Sequence, residues 1–163
     1  MTVLALLDAV NRRLVERWPD RTVYVDVCPV DFERPSFWLA VEEQRQEEAN
    51  RYLLRRWVRL RLTLYDQVDD HYDVSWRRLA EESGAAMALL TPPLRLEGRA
   101  ITLRCKALPR EADRAVLQLE AEWLDPRATG PAESAPAADQ YHIRVETVKT
   151  EDKKKGTSDN GTS

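Results

Sequence analysis

His71 in the stretch Gln67-Val68-Asp69-Asp70-His71-Tyr72-Asp73 has carboxylates on both sides, the residue types of an acid–base or metal site. Asp69, Asp70 and Asp73 bring enough oxygen for a divalent cation. The stretch lacks the central glycine and terminal glutamate of a calcium loop, and reads as a solvated turn before a helix. The second histidine, His142, has no Ser, Cys or carboxylate partner at a catalytic spacing. Cys28 and Cys105 form no CxxC pair, and two thiols do not make a zinc site. Each lies in or beside an apolar alternation and reads as a small hydrophobe. No glycine-rich phosphate loop is present. The third candidate is basic and aromatic. Arg55, Arg56, Arg59 and Arg61 surround Trp57, a combination that can grip single-stranded nucleic acid by stacking and phosphate contact. Glu120 and Glu122 on a neighbouring strand and the net charge of −3 oppose that reading. These residues point to a protein–protein surface and to no enzyme, cofactor or metal.

The elements that hold these residues follow from apolar spacing. Leu4, Leu7, Val10, Leu14 and Trp18 recur at three and four residues, which predicts a helix capped by Thr2 and stopped at Pro19. Val23, Val25 and Val27 alternate with Thr22, Tyr24 and Asp26 as a half-buried strand does. After a connection through Pro35, Phe37, Leu39 and Val41 form one strand face and Trp38, Ala40 and Glu42 the other. The polar run 43–51 reads as a loop or a solvated strand extension. The longest strand follows, with Val58, Leu60, Leu62 and Leu64 facing opposite to Trp57, Arg59, Arg61, Thr63 and Tyr65. A helix is expected from about Val74 to Leu90, capped by Asp73, with Trp76, Leu79, Ala80, Ser83, Met87 and Leu90 on its apolar face. Two more strands, through Ile101 to Ala107 and Ala115 to Trp123, read as a hairpin. In it Arg104 and Lys106 share a face with Gln118, Glu120 and Glu122.

The expected fold is α+β: a single, mostly antiparallel sheet of about five strands with two helices packed on one face, in the order α-β-β-β-α-β-β. Trp18, Trp76 and Trp123 fit its core. Trp38, Arg55, Arg56, Trp57, Arg59, Arg61, Arg104, Lys106, Glu120 and Glu122 are the interface candidates, since arginine and tryptophan dominate interface energetics. The domain is read as 1–125, followed by an Ala/Pro linker over 126–139, an optional strand or arm over 140–148, and a disordered tail over 149–163. The arm is expected to add to the sheet edge of a neighbouring subunit. No apolar run reaches the ~18 residues of a membrane span, and the order of charges at the N-terminus is not that of a signal peptide, so the expectation is a cytoplasmic protein.

Three segments carry a resemblance. LLDAVNRRLVERWP runs directly into VYVDV. Pro35-Ser36-Phe37-Trp38-Leu39 has the form Pro-x-Phe-aromatic-aliphatic at a strand start. NRYLLRRWVRLRLTLYD is a polar loop, an Arg-Tyr entry and a long strand ending in an aromatic residue. In this order they resemble the tail terminator family of contractile-tailed phages and prophage-like tail elements, over residues 3–124. The resemblance implies a non-enzymatic ring, commonly a hexamer of one chain, that caps a finished tail tube and ends its polymerisation. It implies tube protein, sheath protein and a head-completion or neck protein as partners, with no membrane and no nucleic-acid specificity. It also implies host cytoplasm during assembly and the virion or tail particle afterwards. A head–tail neck completion protein, or a small nucleic-acid or ligand binding module, is the alternative. The segment beyond Pro126 has no counterpart in the family.

Overall fold

Helix α1 (Val3–Arg17) begins at Thr2, whose side-chain oxygen accepts a hydrogen bond from Ala5 N at 3.1 Å. Its buried stripe is Leu6, Leu7, Val10 and Leu14. Leu4 is 66% exposed, contrary to the spacing argument. Leu4 and Leu6 flank the same stripe on opposite sides, and packing on the sheet selects Leu6. The computed structural model describes residues 1–127 apart from Tyr72 and Arg110. The linker, arm and tail expected over 126–163 therefore lie outside the described residues, except that Pro126 is the last residue of a strand and Arg127 follows it.

The remaining elements are β1 (Thr22–Val25), β2 (Ser36–Glu48), β3 (Leu53–Tyr65), α2 (Trp76–Leu90), β4 (Leu94–Leu96), β5 (Arg99–Ile101), β6 (Arg104–Ala107) and β7 (Arg114–Pro126). Five of the strands form one sheet in the order β1-β2-β3-β7-β6, and β4 and β5 form a separate pair. The fold is α+β, with both helices on one face of the sheet. All neighbours in the large sheet are antiparallel except β1 and β2, which run parallel. Alternation fixes which residues share a face but carries no strand direction, so this mixed character was not legible in the sequence.

The core follows the period of two. Phe37 and Leu39 from β2, Val58, Leu60, Leu62 and Leu64 from β3, and Leu117 and Leu119 from β7 are all fully buried beneath the helices. Each such side chain contributes roughly 1.5–3 kcal/mol relative to exposure. Trp123 belongs to this core, and Trp18 and Trp76 are partly buried against it.

One open alternative is resolved and three local expectations are corrected. Residues 43–48 are the solvated strand extension and not a loop, because β3 pairs with β2 as far as Glu48. Backbone pairing supports that extension although its side chains are polar. Helix α2 is capped by Ser75, whose hydroxyl accepts from Arg78 N, while the Asp73 amide donates to Asp69 Oδ1 at 2.9 Å. On α2 the buried residues are Leu79, Ala86 and Leu90; Ala80 is exposed. Finally, the run expected as one strand from Ile101 to Ala107 is broken. Glu97 (φ 49°) and Gly98 (φ 76°) form a two-residue turn between β4 and β5, and only Arg104–Ala107 joins the large sheet. Two successive left-handed residues match the type I′ turn that suits a twisted hairpin.

Gly84 lies in the middle of α2, and a Cβ built there meets nothing within 4 Å. Helix propensity then acts alone. Gly84→Ala is expected to raise unfolding free energy by about 0.5–1 kcal/mol, read as a higher urea midpoint at unchanged slope.

Candidate interaction surface on the second sheet face

The face opposite the helices has two halves. One is covered by the chain itself. Asp26 adopts a left-handed backbone (φ 60°) and turns the chain off β1. The connection 26–35 then lies over the sheet. The Phe32 and Tyr65 rings are 4.3 Å apart, and the Arg34 guanidinium lies 5.0 Å from each ring. Arg34 is also ion-paired with Asp113. Beneath it Thr63, Tyr65 and Val116 are buried although their parity is that of the second face. Trp38 is half-buried in this region, and its Nε1 donates to Asp26 O at 3.2 Å. Trp38, an interface candidate, thus lies where part of the cover is supplied by the chain's own connection.

Burial pushes the Asp113 carboxyl up, but hydrogen bonds from Arg34 and Arg114 outweigh it and hold the group below the usual carboxylate range. Burial raises the Cys28 thiol and the Tyr65 hydroxyl above their ordinary values, opposed in each case by the charge of Arg114. Cys105, on β6, is raised by burial as well. Both cysteines are free and half-buried.

The other half is open and built from alternating charges. Arg59 sits between Glu43 (3.2 Å) and Glu120 (3.1 Å), and Arg61 between Glu42 (3.3 Å) and Glu111 (2.9 Å). Arg55 reaches Glu122 at 3.2 Å, and Arg104 reaches the same carboxylate at 3.9 Å. The Trp57 ring lies between the guanidinium groups of Arg45 (5.0 Å) and Arg59 (4.9 Å). A bulge between Val41 and Glu43 lets both Glu42 and Glu43 reach this lattice.

Of the ten interface candidates, Arg55, Trp57, Arg59, Arg61, Arg104, Lys106, Glu120 and Glu122 come together on this face, and Trp38 lies at its covered end. Arg56 does not belong. It pairs with Trp123 across the β3–β7 ladder and points to the helix side, where its Nε is 3.1 Å from Asp125 Oδ2. The sequence signal was present, since Arg56 has the parity of Val58. The reading missed Glu42, Glu43, Arg45 and Glu111 as partners: Glu43 and Arg45 lie in the run left open between loop and strand extension, and Glu111 lies in the connection before β7. The alternation of Glu43 and Arg45 was the available clue.

On the helix side Asp125 collects donors: Trp123 Nε1 at 3.0 Å, Arg99 at 2.8 Å and the amino group of Met1 at 3.2 Å. Burial pushes its carboxyl up; these hydrogen bonds and the positive charge of the amino group outweigh that and lower it.

Among the described residues the candidates for chemistry are not assembled. His71 is exposed, and its backbone amide, like that of Asp73, donates to Asp69 Oδ1. Asp69 therefore organises the turn before α2. Among the described residues no group of three or more His, Cys, Asp or Glu side chains is placed to hold a metal ion, and no helix is long and apolar enough to cross a membrane. His142 lies outside the described residues.

No family model matches the chain, and no curated protein matches it. Among solved structures 25 chains match. One of them aligns over 80% of this chain and 99% of its own length, with 11% identity and a TM-score of 0.42.

Proposed function

We propose that this chain is a structural, non-catalytic tail-assembly protein: a terminator that closes into a ring on the end of a tail tube, ends tube polymerisation and offers the surface to which the head and the sheath join. The observation that carries this reading is the open half of the second sheet face. It is an ordered lattice in which Arg55, Arg59, Arg61 and Arg104 each have a carboxylate within 4 Å. Arginines neutralised inside the chain are poorly disposed to bind phosphate, whose affinity comes from charge that is free to displace counterions. A lattice of alternating sign around a clamped tryptophan suits a protein partner with matching alternation, which contributes register and specificity. The family resemblance of residues 3–124 supplies the particular partner, the tube end.

The test is a polymerisation assay with purified tail tube protein. Added at stoichiometry to tube ends, this chain is expected to halt elongation and to appear as a cap in electron micrographs. Its mass by light scattering should be that of a closed ring, alone or on tubes. The double variant Trp57→Ala/Arg59→Ala should fold and lose capping at least tenfold, about 1.4 kcal/mol or more of contact energy. A protein that stays monomeric and ignores tube ends would refute the reading. Binding to head portals instead of tubes would replace it with the neck completion reading.

A further inference from the structure

The large sheet ends in two strands that are bonded on one side only. β1 pairs with β2 and β6 with β7, and among the described residues no strand lies outside either. An unpaired edge is a template for another strand, and edges meant to stay free are commonly blunted by charge, proline or bulges. Here the charge is segregated between the two edges. Over residues 20–33 the exposed charged side chains are Asp20, Asp26, Asp31 and Glu33, all acidic; Arg21 is ion-paired with Glu82. β6 exposes Arg104 and Lys106 and contains no acidic residue. Among the described residues Arg104 has only Glu122, at 3.9 Å, as an ion-pair partner, and Lys106 has none.

Apolar surface is divided in the same way. Val25 (37% exposed), Val27 (77%) and Val30 (102%) stand out from β1 and the turn that follows it. At the β6 edge a cleft of about 150 Å³ opens beside the first half of α2, lined by Leu79, Ala80, Ala107, Leu108 and Val116 among others. One edge is acidic and the other is basic.

Strand direction and parity agree with this complementarity. β1 is parallel to β2, and three antiparallel steps separate β2 from β6, so β1 and β6 run in opposite directions. Laid edge to edge, they form an antiparallel ladder. Val23 and Val25 have the helix-side parity of their partners Phe37 and Leu39, as Cys105 and Ala107 have that of Leu119 and Leu117. The ladder therefore sets Val23 and Val25 beside Cys105 and Ala107. It sets Tyr24 beside Arg104 and Lys106 on the second face, where a ring favours a neighbouring cation.

We infer that β1 of one copy pairs antiparallel with β6 of the next copy, the acidic edge against the basic one. The contact uses two different patches and is heterologous, the kind that generates rings when its rotation closes. It rests on the proposed ring and names its surfaces.

Cross-linking tests it. Facing residues of an antiparallel pair have Cα atoms about 4.5–5.5 Å apart, within reach of a disulfide. In a Cys28→Ser background that keeps Cys105, Val25→Cys is expected to give a ladder of covalent multimers under mild oxidation of the assembled protein. Val23→Cys covers the neighbouring register of the same face. Tyr24→Cys, on the opposite face, should give none, and Cys105→Ser should abolish the ladder. Independently, Arg104→Glu should weaken assembly about tenfold, and Asp26→Lys in the same chain should restore it. A ring seen by light scattering in which neither valine position cross-links to Cys105 overturns the edge assignment and leaves the ring standing. A protein monomeric both alone and with tubes overturns both.

Discussion

Asp125→Ala is expected to lower unfolding free energy by about 3 kcal/mol, the lower end of the range for removing one partner of a buried ion pair. Asp125 is 6% exposed and is the common acceptor for Trp123, Arg99 and the Met1 amino group, with Arg56 in ion-pair contact. Its loss leaves the Trp123 indole N–H without its acceptor in the core. The two arginine side chains are 39% exposed and can rehydrate, which holds the cost to that lower end. Chemical denaturation at neutral pH measures it.

The same carboxyl shapes the response to acid. Its folded pKa lies below the unfolded value of about 4. A lowered carboxyl stabilises fully above the unfolded value, and that contribution is lost as pH falls through the folded one. Asp113 has the same sign. Cys28, Cys105 and Tyr65 have the opposite shift: their raised values stabilise below the unfolded pKa and are lost as pH rises past it. Stability should therefore form a plateau between about pH 4 and pH 8. Asp125→Asn, which keeps the shape and removes the charge, should flatten the acid limb and leave the alkaline limb unchanged.

Periodicity made the sequence of helices and long strands legible. Val58, Leu60, Leu62 and Leu64 announce a buried face, and Thr2 with Pro19 brackets α1 correctly. What periodicity omits is partner and direction. Nothing in Thr22–Val25 says that its neighbour runs parallel, and the polar run 43–48 fits a loop as well as the strand extension that β3 pairs with. The covering of Thr63 and Val116 by the 26–35 connection depends on the path of a segment without regular structure. The candidate surface was half legible. Alternation placed Arg59, Arg61, Glu120 and Glu122 on one face, but only the ladder register brings Arg59 opposite Glu120. Arg56 was misassigned by its position in an arginine-rich run, against its own parity.

Phe37→Ala is expected to cost about 3–5 kcal/mol, the range for emptying a buried aromatic site. Phe37 is fully buried on β2, between Val23 of β1 and Leu64 of β3. Its ring centroid is 5.1 Å from that of Trp18 at 52°, an aromatic pair that contributes roughly 0.5–1.5 kcal/mol beyond area. Arg21 closes the other approach, 5.4 Å from the ring. Main-chain pairing on both sides of β2 holds the backbone in place, so the cavity has little freedom to collapse. Trp57→Ala provides the contrast. Its ring is larger but lies on the open half between Arg45 and Arg59, where a cation–π contact contributes about 0.5–1 kcal/mol, and its loss should cost about 1 kcal/mol. Urea titrations of the two variants separate core from surface. If Trp57→Ala costs as much as Phe37→Ala, the second face is structural throughout, and its tryptophan is not available to a partner.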